Sequence, residues 1–201
     1  PEDRAVDYVS ATCVRVLRYL ALMISLLLPG LYAAMAMHHP QMIPTKLLAS
    51  IIESKKDVPF STILEILGLL AAFEILQEAG LHLPQAIGTA VSIIGGLVVG
   101  TAAVEAKLIS PAALIVAAAA GICGFALPSR DLSDAIRLWR FALTVFAGAG
   151  GLFGLTVGTI LLLIHLAALS SLGEPYLAPF SGVGTGGALT RKRFFRRGQA
   201  K

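Results

Sequence analysis

Two long apolar runs with almost nothing between them constrain this chain more than any other feature of its sequence. Residues 86–104 and 108–128 contain no Asp, Glu, Lys or Arg, and only Glu105, Ala106 and Lys107 separate them. Each run reaches the roughly 20 uncharged residues that a helix needs to cross the hydrocarbon core of a bilayer. The pattern predicts two membrane-spanning helices that form a tight hairpin.

Composition places the whole chain in the same class. The 201 residues are 56% hydrophobic and 14% charged, with a mean hydropathy of +0.80, whereas soluble domains carry about 25% charged residues. The sequence therefore predicts an all-α, polytopic helical membrane domain. It contains no arrangement typical of a nucleophilic enzyme, no phosphate-binding glycine loop and no metal-ligand spacing beyond the adjacent His38 and His39. We expect no enzyme activity, no cofactor and no metal.

Charge divides the chain into an entry segment, a membrane part and a tail. Residues 1–18 are rich in charge and start without Met, which is expected of a cytoplasmic region that continues a longer protein. Residues 19–180 are predicted to form the transmembrane helical domain. Residues 181–201 form a basic tail with six Lys or Arg in its last eleven positions, which suits the anionic lipid of a cytoplasmic leaflet better than nucleic acid.

The segment from residue 59 to residue 79 decides the number of spans. It is long enough to cross, but it contains Glu65 and Glu74, and a charge near the bilayer centre costs about 2.5–3.5 kcal/mol. The two carboxylates project from opposite sides of a helix, so at least one must meet water, a cation, a basic partner or a proton. In one interpretation the segment is interfacial or re-entrant and its carboxylates are simply hydrated. In the other, Glu65, Glu74 or Glu78 faces an ion path.

Span count follows from that choice. We predict four full spans plus interfacial or re-entrant amphipathic helices, which return the basic tail to the cytoplasm. Five spans result if residues 59–79 cross the membrane. Residues 45–54 and 129–140 are predicted to be the interfacial helices, with Trp139 as an anchor in the second. The second helix has its charges on one face, at Arg130, Asp131, Asp134 and Arg137.

Residues 141–173 form a run of 33 residues without Asp, Glu, Lys or Arg. A straight helix of that length would be roughly 50 Å long, which exceeds the hydrocarbon core, so the run must tilt, break or project. Small residues recur at every fourth position here, at Gly150, Gly154 and Gly158. The first apolar run has the same spacing at Gly88, Ser92, Gly96 and Gly100. Such bare faces allow close helix packing in lipid.

One face of the first run is also suited to a pore. It is polar or small except at one position, and consists of Gln85, Thr89, Ser92, Gly96, Val99 and Ala103. A ring of such faces from several copies would form a narrow conduit with Val99 as a dewetting constriction. Packing alone explains the same stripe. A transporter-like subunit with Glu74 or Glu78 as a coupling-ion site, or a passive membrane scaffold for soluble receptor domains, are the other hypotheses.

Several strings in order along the chain resemble a known family. They are LPGLYAAMAMHHPQMIPTKLLASI, VPFSTILEILGLLAAFEILQEAGLHLPQAIGTAVSIIGGLVVGTAAVEAKLISPA, PSRDLSDAIRLWRF and LLIHLAALSSLGEPYLAPF. Together they look like the membrane domain of the GerA family of spore germinant receptor A subunits, over about residues 18–180.

The resemblance implies a location in the inner spore membrane and a soluble N-terminal region outside this chain. It implies assembly with a B subunit of transporter-like fold and a C subunit lipoprotein. It further implies that the A subunits form a homo-oligomer around a nutrient-gated, ion-conducting pore that triggers germination.

Overall fold

The computed structural model describes residues 8–81, 95–96, 98–125, 130–168, 170–171 and 174–175. Helices dominate: α1 is Tyr8–His38, α2 is Thr45–Lys55, α3 is Thr62–Leu81, α4 has its described residues at 95–96 and 98–105, α5 is Pro111–Phe125 and α6 is Arg130–Ala168. A 3-10 turn, Pro40–Met42, links α1 to α2, and two-residue strands β1 (Ser170–Ser171) and β2 (Glu174–Pro175) pair antiparallel. The predicted helical class is confirmed.

Two helices in the described part of the chain are long and apolar enough to cross a membrane. One is the Thr12–His38 part of α1, and the other is the Asp134–Ala168 part of α6. The apolar stretch Pro111–Gly124 of α5 is shorter. These helices support the predicted membrane class, whereas the four full spans stay a prediction. The predicted tail at 181–201 lies outside the described residues.

Helix α6 is a hairpin of two antiparallel halves rather than one rod. Gly151 interrupts it with φ 62° and ψ −143°, a conformation that glycine adopts without steric cost. The rings of Trp139 and His165 lie 5.4 Å apart, whereas 26 residues of straight helix would separate them by about 39 Å. We name the halves α6a (130–150) and α6b (152–168). Of the three outcomes that the long apolar run allowed, a break is the one observed.

Two glycines let the halves of α6 approach each other. A Cβ at Gly154 would lie 2.0 Å from the carbonyl oxygen of Phe146, and a Cβ at Gly158 would lie 2.8 Å from a methyl group of Leu143. A Cβ at Gly150 would meet nothing within 4 Å. The second small-residue stripe therefore has two members in the packed seam and one outside it.

Helix α1 runs parallel to α6a and ends beside the turn of the hairpin. A Cβ at Gly30 would contact Leu155 and Ala147, and a Cβ at Gly151 would lie 2.9 Å from the Cβ of His38. Two apolar clusters hold these helices in place. The first joins α1 to both halves of α6 through Leu26, Ala34, Leu143, Ala147, Leu155 and Leu162. The second joins α1, α3 and α5 through Ala33, Ile66, Leu69, Leu70, Ala113 and Ala117.

The remaining helices alternate in direction. Helix α3 begins beside the α6 turn, where Ile63 contacts Gly148, and runs antiparallel to α6a until Glu74 reaches Arg137. Helix α5 runs the same way as α3, because Ala120 near its far end contacts Arg140. Within the described residues, α1, α3, α5, α6a and α6b thus extend between two common ends, and the described part of α4 packs on α3 and α5. We call the two ends the Gly151 end and the Arg130 end.

A separate helix is present at one of the two segments that we predicted to be interfacial, and the other segment is not a separate element. Helix α2 has Ile51 buried while Leu47 and Ile52 are exposed, in agreement with the predicted amphipathic segment. The prediction for residues 129–140 is wrong, because their described part forms the first turns of α6a. Arg137, predicted on a hydrated face, is mostly buried and paired with Glu74 of α3. Arg137 thus finds a partner on another helix, whereas Asp134 is exposed and pairs with Arg137 within α6a.

Candidate functional site

Glu65 is a fully buried carboxylate at the Gly151 end of the bundle. Its Oε2 accepts hydrogen bonds from the backbone N–H of Ser110 at 2.8 Å and from the Ser110 hydroxyl at 2.7 Å. Its Oε1 lies 2.8 Å from Nζ of Lys55. The interpretation with a simply hydrated carboxylate is wrong for Glu65, because its carboxylate is fully buried, accepts two hydrogen bonds from Ser110 and forms an ion pair with Lys55.

Local structure explains why these groups meet. Ser110 precedes α5 and caps it, since its Oγ accepts from the N–H of Ala113 at 3.4 Å. Glu65 therefore lies at a helix N-terminus, where the macrodipole favours negative charge. Lys55 is the last residue of α2, and its Nζ also donates to the hydroxyl of Thr62. One carboxylate thereby joins α2, α3 and α5.

The turn between α4 and α5 is linked to the same region. Lys107 has φ 57°, the left-handed conformation usual for glycine at this position. The N–H of Lys107 donates to the carbonyl of Val104 at 2.9 Å and the N–H of Leu108 donates to that of Ala103 at 2.9 Å, the two bonds of a Schellman motif. The exposed ammonium of Lys107 pairs with Asp57, which follows α2. This ion pair and the hydrogen bonds from Ser110 to Glu65 thus tie the region of α2 and α3 to the α4–α5 hairpin.

A second charged cluster lies about halfway along the bundle. The Glu74 carboxylate pairs with Arg137 at 2.5 Å, and Arg137 also pairs with Asp134 one turn earlier. The guanidinium of Arg140 is almost fully buried, and its Nη1 donates to the carbonyl of Ala120 at 3.3 Å. Glu65 and Glu74 therefore each meet a basic partner, one of the outcomes that their position in the sequence demanded.

The predicted pore face is only partly within the described residues. Gln85, Gly88, Thr89 and Ser92 lie outside them. Gly96 is buried against α3, where a Cβ would lie 2.7 Å from the ring of Phe73. Val99 is exposed and Ala103 is half-buried. The described part of this face thus turns from the bundle interior at Gly96 to its outside at Val99, and its role in a pore stays a prediction.

The other residues that the sequence singled out are also divided between packed and exposed positions. Gly100 packs on α5, where a Cβ would lie 2.7 Å from a methyl group of Leu114. Glu78 is exposed on α3, one turn beyond Glu74. His38 and His39 have ring centroids 6.5 Å apart. In the part of the chain with a described structure, no three His, Cys, Asp or Glu side chains come together as a metal site would require.

Sequence reasoning missed the basic partners Lys55, Arg137 and Arg140. A signal for them was present, because two carboxylates in an apolar helix need cations, and these residues border apolar helices. The sequence did not show which cation pairs with which carboxylate, since Glu74 and Arg137 are 63 positions apart in the chain. Only the direction in which α3 runs past α6a brings them together.

Comparisons with known proteins agree with this architecture. Residues 1–199 match the family described as Bacillus/Clostridium GerA spore germination protein. The chain is 44% identical to spore germination protein KA of Bacillus subtilis (strain 168) over 92% of this chain and 35% of that protein. It is 42% identical to an uncharacterized membrane protein, YfkQ, of the same organism over 90% of this chain and 35% of that protein.

A third relative is spore germination protein GerIA of Bacillus cereus, which is 41% identical over 88% of this chain and 26% of that protein. The chain spans about a third of the length of the first two relatives and about a quarter of the third. No solved structure matches the chain.

Proposed function

This chain belongs to the GerA family of spore germination proteins, and from that premise we propose that it is the membrane domain of a germinant receptor A subunit whose copies form a nutrient-gated ion pore. A role in spore germination and a membrane location follow from the family and the apolar helices. The inner spore membrane, the B and C subunits, and anionic lipid at the basic tail are the location and partners that we propose.

The observation that carries the pore is the outward face of α4. Val98 and Val99 are exposed while Gly96 and Gly100 on the same helix are buried against α3 and α5. Thr101 and Ala102 are exposed beside them. The glycines of α4 thus pack inside its own bundle, and a narrow, apolar to weakly polar face of α4 is exposed and can contact another copy. Repeated around an axis, that face would form a constriction that excludes water at Val99.

Conductance of the reconstituted receptor tests this proposal. Val99→Ala should widen the constriction and raise the basal current without nutrient, and Val99→Asp should raise it further by attracting water and cations. Val145→Ala is the matched control, because Val145 is exposed on α6a, on another helix. A basal current that is unchanged in both Val99 variants would remove α4 from the pore.

We also propose that all six segments cross the bilayer. The support is the ion pair between Asp57 and Lys107, since two exposed paired residues must lie on one side of a membrane. An even number of crossings then separates them, so α3 crosses together with α4. The pairing of Glu65 and Glu74 removes the main energetic objection to that crossing. Six crossings replace the four that we predicted and keep both chain ends in the cytoplasm.

The lengths of the α6 halves suit this topology. Residues 130–150 and 152–168 form helices of about 30 Å and about 25 Å at the usual rise per residue. The hydrocarbon core is about 30 Å thick. Each half therefore matches one crossing, whereas an unbroken α6 would exceed it.

A further inference from the structure

Three buried polar atoms in the middle of the bundle have no hydrogen-bond partner among the residues that the structure describes. They are Oε2 of Glu74, Nε of Arg137 and Nε of Arg140. Arg140 Nη2 is 4.0 Å from Glu74 Oε2, which is too long for a hydrogen bond. The cluster thus holds two unused donors and one unused acceptor. Water both donates and accepts, so it can satisfy all three, whereas a single ion of either sign cannot.

These atoms lie deep in the bundle, where a charged group without a hydrogen-bond partner or water is energetically costly. Arg140 lies ten residues from Arg130 and eleven from Gly151, so it is about 15 Å from either end of the helix. A charged group at that depth pairs fully or faces a water-filled cavity. Within the described part of the chain, the five N–H donors of Arg140 make one hydrogen bond, to Ala120, and the nearest carboxylate oxygen, of Glu74, is 4.0 Å from Nη2. The described residues therefore leave the guanidinium of Arg140 incompletely paired.

Exposure rises steadily from this cluster toward the Arg130 end. The side chains of Arg140, Arg137 and Asp134 are 3%, 16% and 62% exposed. They are spaced three residues apart, so they form one stripe along α6a. Glu74 and the exposed Glu78 line the facing side of α3. A continuous polar surface thus leads from the end of the bundle to its middle.

The same surface stops above Arg140. The hydroxyl of Thr144, one turn further along α6a, donates a hydrogen bond to the carbonyl of Arg140 at 2.7 Å. On the Gly151 side of Arg140 and Glu74 lie Phe141, Leu70 and Ile66 of the second apolar cluster. The polar surface is therefore blind and does not continue to the Gly151 end.

We propose that α3 and α6a enclose a water-filled inlet, which opens beside Asp134 and ends at Arg140 in the middle of the membrane. The inlet is distinct from the proposed pore on α4 and does not depend on it. It depends only on α6a crossing the bilayer. It hydrates the Glu74–Arg137–Arg140 cluster and carries the aqueous phase of the Arg130 side through about half of the hydrocarbon thickness.

Cysteine labelling of the full-length protein in lipid nanodiscs tests this inlet. The background replaces Cys13 and Cys123 with Ala, and a small, membrane-impermeant thiosulfonate is the probe. Arg140→Cys is compared with Leu138→Cys, which is two residues away at nearly the same depth and 73% exposed in the isolated chain. Because the thiolate reacts and lipid suppresses its formation, we expect Arg140→Cys to react at least about tenfold faster than Leu138→Cys. Burial within the protein alone predicts the opposite order.

Two further variants make the result decisive. Glu74→Cys should also react fast, and it replaces Arg140→Cys if that variant does not fold. Thr144→Cys should react as slowly as Leu138→Cys, because it lies beyond the blind end. Slow labelling of both Arg140→Cys and Glu74→Cys overturns the inlet. Fast labelling of Leu138→Cys overturns the crossing of α6a and the inlet with it, whereas a failed conductance test of Val99 leaves the inlet intact.

Discussion

Two carboxylates on one apolar helix are neutralised in different ways. Glu65 accepts two hydrogen bonds from Ser110 at a helix N-terminus on one oxygen, and its other oxygen forms an ion pair with Lys55. Glu74 has one oxygen paired with Arg137, and its other oxygen has no hydrogen-bond partner among the described residues. The nine-residue spacing predicted opposite sides of α3 and the need for partners. It could not identify Lys55 or Arg137, because those contacts depend on how separate helices pack.

Removing the carboxylate at Glu65 should be costly. Glu65→Leu leaves the ammonium of Lys55 in a largely buried site without its counter-charge, and we expect a loss of about 3 kcal/mol in unfolding free energy. Denaturant-induced unfolding in mild detergent measures it. The double variant Lys55→Met/Glu65→Leu should recover at least half of that loss, because an apolar pair replaces the ion pair.

The pair between Glu53 and Lys56 on the surface is the control. Both of its side chains are exposed, so Glu53→Gln should change the stability by less than about 1 kcal/mol. If Glu65→Leu costs no more than Glu53→Gln, then the Glu65 carboxylate contributes nothing to holding α2, α3 and α5 together.

A glycine in place of Lys107 should stabilise the protein. Lys107→Gly removes the steric cost of a side chain in the left-handed region, about 1 kcal/mol, and gives up only a surface ion pair of smaller value. We expect a net rise in the melting temperature. Lys107→Ala, which loses the pair and keeps the strain, should lower it. A fall with Gly as large as the fall with Ala would mean that the Asp57 pair outweighs the backbone strain.

At the level of elements, α6 is where sequence and structure differ most. The length of the apolar run required a tilt, a break or a projection, but five glycines between 148 and 158 offered several places for a turn. The regular spacing of Gly150, Gly154 and Gly158 predicted a single face for helix packing. The turn at Gly151 moves Gly150 out of that face, so spacing alone could not identify the seam.

Gly154 and Gly150 give a matched pair of substitutions within the same hairpin. Gly154→Ala places a methyl group against the Phe146 carbonyl, in rigid backbone, and we expect the halves to separate with a loss above about 3 kcal/mol. Gly150→Ala meets open space and should gain up to about 1 kcal/mol from helix propensity. Thermal unfolding of both variants measures the difference. Equal melting temperatures would contradict an antiparallel packing of α6a and α6b.

At the level of the whole molecule, composition sufficed for the class of protein but not for the number of crossings. Hydropathy evaluates each segment by itself, and by that measure the carboxylates of Glu65 and Glu74 disfavour a membrane crossing by α3. In the bundle their charge is offset by residues of α2 and α6a. Hydropathy likewise treats α6 as one long span, because a turn at a single glycine leaves no charged residue to mark it.

Sidedness of four introduced cysteines decides between the topologies. In vesicles of known orientation, made from the protein without Cys13 and Cys123, an impermeant thiol reagent is applied from one side at a time. With six crossings, Asp57→Cys and Lys107→Cys react from the outer side, while Asp134→Cys and Gly198→Cys react from the cytoplasmic side. Four crossings place Asp57 and Lys107 on opposite sides of the membrane.

Five crossings keep Asp57 and Lys107 together but place Gly198 outside, so the tail position separates five from six. The reason for expecting six is the charge pair at the Gly151 end, which fixes an even number of crossings between two positions 50 residues apart. The antiparallel α6 halves then add the sixth crossing. Labelling of Lys107→Cys from the cytoplasmic side would break that pair and, with it, the crossing of α3.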